Sequence, residues 1–133
     1  MFTIGNESDY GLIILSSLLK NDSYVSLSEI VKKTDLPPRY LARIAGTLAK
    51  NGLLTSHEGR DGGYKVTGKV KNMNLFEYLT IFERNIEPSK CCVKSFNCRF
   101  LRICAHGNFF QHKLTSILTN QLKKIRLTQI FEI

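Results

Sequence analysis

The 133-residue chain has no apolar run approaching the roughly 20 residues that cross a bilayer, and no signal-peptide pattern opens it. A cytoplasmic location is therefore expected, with no membrane partner and with thiols kept reduced. No internal repeat and no low-complexity linker is present, which excludes repeat arrays and disordered tethers. No glycine-rich nucleotide loop and no nucleophile–base arrangement is found, so an enzyme is not expected. Acidic residues are scarce, 11 Asp and Glu against 19 Lys and Arg, giving a net charge of +8. That surplus suggests a polyanionic partner, nucleic acid or an anionic surface, and charge alone decides neither. The length suits one domain, or a domain plus an appendage, with a core of its own.

Cysteine is scarce as well, and confined. All four lie between Cys91 and Cys104, with His106 just behind them. Cys92, Cys98 and Cys104 are separated by five residues each. Thiolates are soft ligands for zinc or for the iron of a cluster, and a loop of this length can bring several to one centre. The plainer reading is a group of small buried hydrophobes, since free Cys often packs without reacting. Four in so short a span, beside Lys and Arg, favour a metal or redox site. They are too few for two clusters, which speaks against an electron carrier.

The periodicity predicts a helix over about 8–20, with Leu12, Ile14, Leu15, Leu18 and Leu19 on its apolar face. Asn6 or Ser8 is its candidate cap, and Asp9 in its first turn suits the helix dipole. Ser26 and Glu29 form a capping box for a second helix that ends near Thr34-Asp35. Pro37 holds Leu36 extended and Pro38 starts a third helix, ended near Lys50 by Asn51-Gly52. The third helix carries Arg39, Tyr40, Arg43 and Thr47 on its outer face. This pair fits a helix-turn-helix, or else a plain three-helix core with a solvated basic face.

The stretch after Gly52 favours the helix-turn-helix. Strands over about 53–57 and 64–67 flank Glu58-Gly59-Arg60-Asp61-Gly62-Gly63, a turn-rich loop. A hairpin after a recognition helix is a wing, with Arg60 as its probing side chain. A helix over 73–83 comes next, capped by Asn74 with Glu77 three residues on. From about Ala105 to Arg126 runs the longest helical stripe: Phe110, Leu114, Ile117, Leu118, Gln121, Leu122 and Ile125. Its natural use is dimerisation, with Leu127–Phe131 as a short helix closing that interface. The fold class is thus mainly α with a small β-hairpin wing. Residues 1–83 form a winged helix-turn-helix DNA-binding domain, 84–106 a cysteine-rich loop, and 107–133 the dimerisation helix and tail.

Four segments carry a family resemblance: Ser8-Asp9-Tyr10-Gly11-Leu12, Leu36-Pro37-Pro38-Arg39-Tyr40-Leu41, Lys50-Asn51-Gly52-Leu53-Leu54 and Gly59-Arg60-Asp61-Gly62-Gly63-Tyr64. With the downstream cysteines, the chain resembles the Rrf-type winged-helix transcription regulators, the IscR-, NsrR- and Suf-regulator-like proteins, over nearly its whole length. The resemblance implies a homodimer on double-stranded promoter DNA, whose affinity changes with an iron–sulfur cluster of 2Fe–2S or 4Fe–4S type. By motif position Cys92, Cys98 and Cys104 match the cluster cysteines. The fourth ligand stays open among Asp9 (supplied across the dimer), His106 and Cys91. IscR-like members place the histidine three residues after the last cysteine, whereas His106 stands two after. His112 reads as a surface residue.

On the DNA side Arg39, Tyr40, Arg43 and Arg60 are the candidate base readers, with Thr47 beside them. Lys50, His57 and Lys65 suit phosphate contacts or solvated charge. Ala42 replaces an acidic base-reading residue of IscR-like members, and Glu58 stands where the wing often has arginine. The operator is therefore expected to differ from theirs. Structural zinc or a cysteine thiol switch are the alternative readings of the loop.

Overall fold

The computed structural model describes residues 3–132. Helix α1 (Asn6–Leu19) buries Ile14, Leu15 and Leu18. The cap expected from Asn6 or Ser8 does not form, because the helix starts earlier and both residues lie inside it. Gly5 is the N-cap, and a distant carboxylate serves the helix end instead. Glu83 Oε1 accepts the Gly5 N–H at 2.6 Å and the Ser8 hydroxyl at 2.8 Å. A negative group at this place satisfies orphan N–H donors and complements the dipole.

Helix α2 (Leu27–Thr34) begins as the sequence predicts, with the Glu29 N–H donating to Ser26 Oγ at 3.3 Å. It stops at Asp35, which takes a left-handed conformation with φ 56°. Helix α3 (Pro38–Lys50) has the expected limits and buries Leu41, Ile44, Ala45 and Leu48. Gly52, at φ 80°, then turns the chain into the hairpin.

Strands β1 (Leu54–His57) and β2 (Gly63–Val66) pair antiparallel, Leu54 opposite Val66 and His57 opposite Gly63. The hairpin is tied back to the helices by Val25 and Tyr64, which exchange backbone hydrogen bonds of 2.9 and 2.8 Å. Gly63 makes this approach practicable. Its φ is 146°, and a Cβ there would strike the Val25 carbonyl.

A short helix that periodicity does not predict, α4 (Lys69–Asn72), comes after the hairpin and buries Val70. Helix α5 (Leu75–Phe82) has the predicted reciprocal box: Glu77 N–H to Asn74 Oδ1 at 2.8 Å and Asn74 N–H to Glu77 Oε2 at 3.1 Å. It is shorter than the predicted 73–83, since Met73 and Glu83 are both extended.

After the cysteine segment a helix spans 107–124. Its opening, Phe109–Leu114, is π-helical, and α6 (Thr115–Lys124) continues as a regular helix. It is shorter than the predicted 105–126 because the chain turns back on itself. The Leu75 N–H donates to the Ile125 carbonyl at 2.7 Å and the Leu127 N–H to the Met73 carbonyl at 3.0 Å. Helix α7 (Leu127–Phe131) then lies on α4 with Leu127 fully buried. The apolar stripe and α7 were expected to serve an interface. Leu118, Leu122 and Leu127 serve this protomer's own core instead, while Phe109, Ile117, Ile125 and Ile130 remain exposed. Among the described residues no helix is long and apolar enough to cross a membrane.

Candidate functional site

The candidate residues fall into two groups. The first is the outer face of α3 with the hairpin. Arg39 and Arg43 are exposed, as are Lys50, His57, Glu58 and Arg60. Tyr40 is half-buried: its ring meets Tyr10 edge-on at 5.8 Å and carries the Arg43 guanidinium at 5.1 Å. Its ring is therefore a platform for the arginine. Thr47 donates its hydroxyl to the Arg43 carbonyl at 3.0 Å, so that donor is already engaged. Lys65 is half-buried on β2, and His57 lies against the Tyr24 ring at 5.4 Å.

Sequence reasoning missed two members of this face. Glu7, in the first turn of α1, places Oε1 2.6 Å from Arg43 Nη2. No sequence spacing could have paired them, since they come from different helices. Tyr24 was likewise unforeseen beside His57.

The second group is the cysteine segment, mostly turns with a short 3₁₀ stretch at Lys90–Cys92. All four cysteines are free and part-buried. Cys91, Cys98, Cys104 and His106 line one cavity of about 510 Å³, closed in by Phe96, Phe100 and Ile103. Cys92 faces the other way. Its thiol donates to the Phe110 carbonyl at 3.3 Å and accepts from the Thr115 hydroxyl at 3.5 Å, at the π-helical turn. The Gly107 N–H donates to Cys104 Sγ at 3.1 Å.

Soft cysteine sulfurs around one apolar-walled space, one already receiving a backbone N–H, are a donor set that suits an iron–sulfur centre or zinc. The set is not drawn together: among the described residues no three His, Cys, Asp or Glu side chains converge closely enough to hold a metal. His106 is exposed and packs on Phe110 with ring centres 5.0 Å apart. Asp9 is exposed on α1 and does not line the cavity, and His112 is exposed on the π-helical turn.

Between the groups runs a buried polar tie. Tyr78 of α5 donates its hydroxyl to the Ser8 carbonyl at 2.6 Å, next to Glu83 on the α1 cap. Burial, and then the carboxylates of Asp9 and Glu83, push the Tyr78 phenol well above its ordinary pKa. The residue that ends α5 and opens the cysteine segment thus also holds the start of α1, which packs on α3.

Three comparisons agree with this layout. A relative from Aquifex aeolicus, named as a candidate HTH-type transcriptional regulator, is 27% identical over 90 residues, 67% of this chain and 62% of its own length. The chain thus matches somewhat less than two thirds of that protein. Among solved structures, CymR (YrzC), the global cysteine regulator of B. subtilis, superposes with a TM-score of 0.72 at 22% identity, covering 99% of this chain and 98% of that one. IscR of T. potens does so at 0.67 and 19%, covering 98% and 87%. Such identities show the shared winged-helix fold. A family profile, Rrf2, iron-dependent transcriptional regulator, matches residues 4–133. The chain belongs to the Rrf2 family of transcriptional regulators, DNA-binding proteins and not enzymes.

Proposed function

We propose that the protein is a homodimeric transcription regulator whose affinity for promoter DNA is set by an iron–sulfur cluster held in the cysteine segment. The observation that carries this reading is the cavity shared by Cys91, Cys98, Cys104 and His106 in a chain that begins with a winged helix. The family's iron dependence and the likeness to IscR support it.

Cys98 and Cys104 would hold the cluster with Cys92, as the spacing implies, or with Cys91, which already lines the cavity. His106 or Asp9 would complete the set. When bound, a 2Fe–2S or 4Fe–4S centre would supply a redox- and nitric-oxide-sensitive joint within the loop. The chain's own residues would transmit its gain or loss. Drawing Cys92 inward means releasing the Phe110 carbonyl and the Thr115 hydroxyl, which loosens the π-helical turn. Moving the segment that Glu83 opens pulls on the Gly5 and Ser8 cap, and α1 carries that shift to α3. Two recognition helices must meet half-sites about 34 Å apart, so a small displacement weakens both contacts together.

A second reading, a thiol switch, is favoured by four free thiols that do not converge, and by the likeness to CymR. Purification without oxygen, with iron, sulfide and zinc assayed and a visible spectrum taken, separates the two. Matching iron and sulfide with a promoter affinity that differs between loaded and stripped protein at fixed salt supports the cluster. Stoichiometric zinc leaves a regulator with a structural metal. Metal-free protein that resists reconstitution, yet loses DNA on thiol oxidation, establishes the switch.

A further inference from the structure

We infer that Glu7 is a specificity-determining residue of the DNA face: it positions Arg43 for base edges and withholds it from phosphate. The inference rests on the DNA-binding reading and holds whether the cysteine segment carries a cluster or acts through its thiols.

The contact stands out against the charge of the chain. With 19 Lys and Arg against 11 Asp and Glu, the Arg43–Glu7 pair is the single ion pair among the described residues. It falls on the face where a DNA reader would want cations unopposed. Both partners are accessible, their side chains 64% and 44% exposed, so packing does not require it. The Arg43 guanidinium is fixed from two sides, by Glu7 at Nη2 and by the Tyr40 ring beneath it. Tyr40 is itself braced by Tyr10, and α1 is anchored through the Gly5 and Ser8 contacts to Glu83.

This geometry has three consequences. A guanidinium has five N–H donors, and the pair engages one edge only, so the remaining donors form a preset fork. Such a fork matches the two acceptors of guanine in the major groove. A phosphate approaching Arg43 would be repelled by the neighbouring Glu7 carboxylate, and the arginine, already neutralised, would displace no counterion from the duplex. Glu7 thus penalises the sequence-independent mode more than the base-reading mode. The gain is in discrimination, not in raw affinity.

The test compares wild type with Glu7→Gln and Glu7→Ala, each with and without Arg43→Ala. The probes are a duplex enriched by the wild-type protein from a randomised library and poly(dI-dC) as non-specific DNA, over a range of salt. Glu7→Gln and Glu7→Ala are expected to bind poly(dI-dC) more tightly, with the log–log salt slope steeper by about 0.9, one added phosphate contact. Their preference for the enriched duplex is expected to fall on the order of tenfold, the size of one good base contact. With Arg43→Ala present, neither change at Glu7 should alter the preference. An unchanged preference and slope in both Glu7 variants overturns the inference. So does an equal change in the Arg43→Ala background, which would make Glu7 a diffuse charge. A wild-type protein that enriches no duplex overturns the DNA-binding reading itself, a result distinct from either.

Discussion

At Gly11 helix α1 lacks room for a methyl group: a Cβ there would run into the Tyr78 hydroxyl and come within 3.2 Å of the Phe82 ring. Gly11→Ala would gain about 1 kcal/mol in helix propensity, but overpacking a rigid contact costs roughly 1–3 kcal/mol. Net destabilisation is expected, read as a lower denaturant midpoint at unchanged m-value. Tyr78 also gives the molecule an alkaline limit. Its folded phenol titrates above the unfolded value of about 10, so its contribution is complete below that pH. It is lost as pH rises further, because the unfolded chain then releases a proton that the folded chain keeps. Tyr78→Phe is expected to cost about 1 kcal/mol at neutral pH through the lost bond to Ser8 and to flatten the alkaline decline. Urea unfolding of both proteins at neutral pH and above pH ~10 checks this; parallel pH profiles would show that another group sets the decline. Sequence pattern singled out Gly11 only as part of a family segment. Its physical reason, a tyrosine from another helix, was not legible, since close approach is a property of the packed pair.

Elements bounded by local chemistry were legible almost to the residue. Pro38 and Gly52 fixed the limits of α3, and Asn74 with Glu77 fixed the start of α5, because each signal acts within one turn. What failed was non-local. The cap of α1 comes from Glu83, far along the chain, and α4 is too short to show a period. The π-helical turn at Phe109–Leu114 keeps the apolar stripe of a helix, so only the packing of Cys92 and Thr115 against Phe110 reveals it. In the cysteine segment the even spacing pointed to Cys92, whereas the cavity takes in Cys91. Spacing cannot tell which of two adjacent thiols faces inward. The cap makes its own prediction. Glu83→Ala should cost about 0.5–2 kcal/mol, the usual value of a helix cap, and speed amide exchange in the first turn of α1. The Asn74 box should hold α5 unchanged, so exchange there serves as the internal control. Equal acceleration in both helices would mean global loosening and not a lost cap.

For the whole molecule, the long helix is divided between two tasks. Leu118 and Leu122 cover α5, and the return of the chain past Asn74 places Leu127 in the same core. The fold of one protomer therefore uses part of the stripe that the sequence suggested for a partner. Ile117 is what that use leaves outside: it lies on α6 beside Leu118 and is 46% exposed. With Phe109, 47% exposed one stretch earlier, it offers an apolar strip at the outer side of the helix. A second copy lying antiparallel along this strip would cover the same residues on both chains, as a two-fold interface requires. Ile117→Glu puts a charge where such an interface would exclude water, while Leu118 and Leu122 keep their contacts within the protomer. Sedimentation is expected to show a shift from dimer to monomer, with helical circular dichroism retained. Promoter affinity should fall more steeply than affinity for a single half-site, because only the paired helices read both halves. A variant that remains dimeric would move the interface to the exposed Phe100, Leu101 and Ile103 of the cysteine segment. The state of that segment would then act on dimerisation directly, and loaded and stripped protein would differ in mass before they differed in DNA affinity.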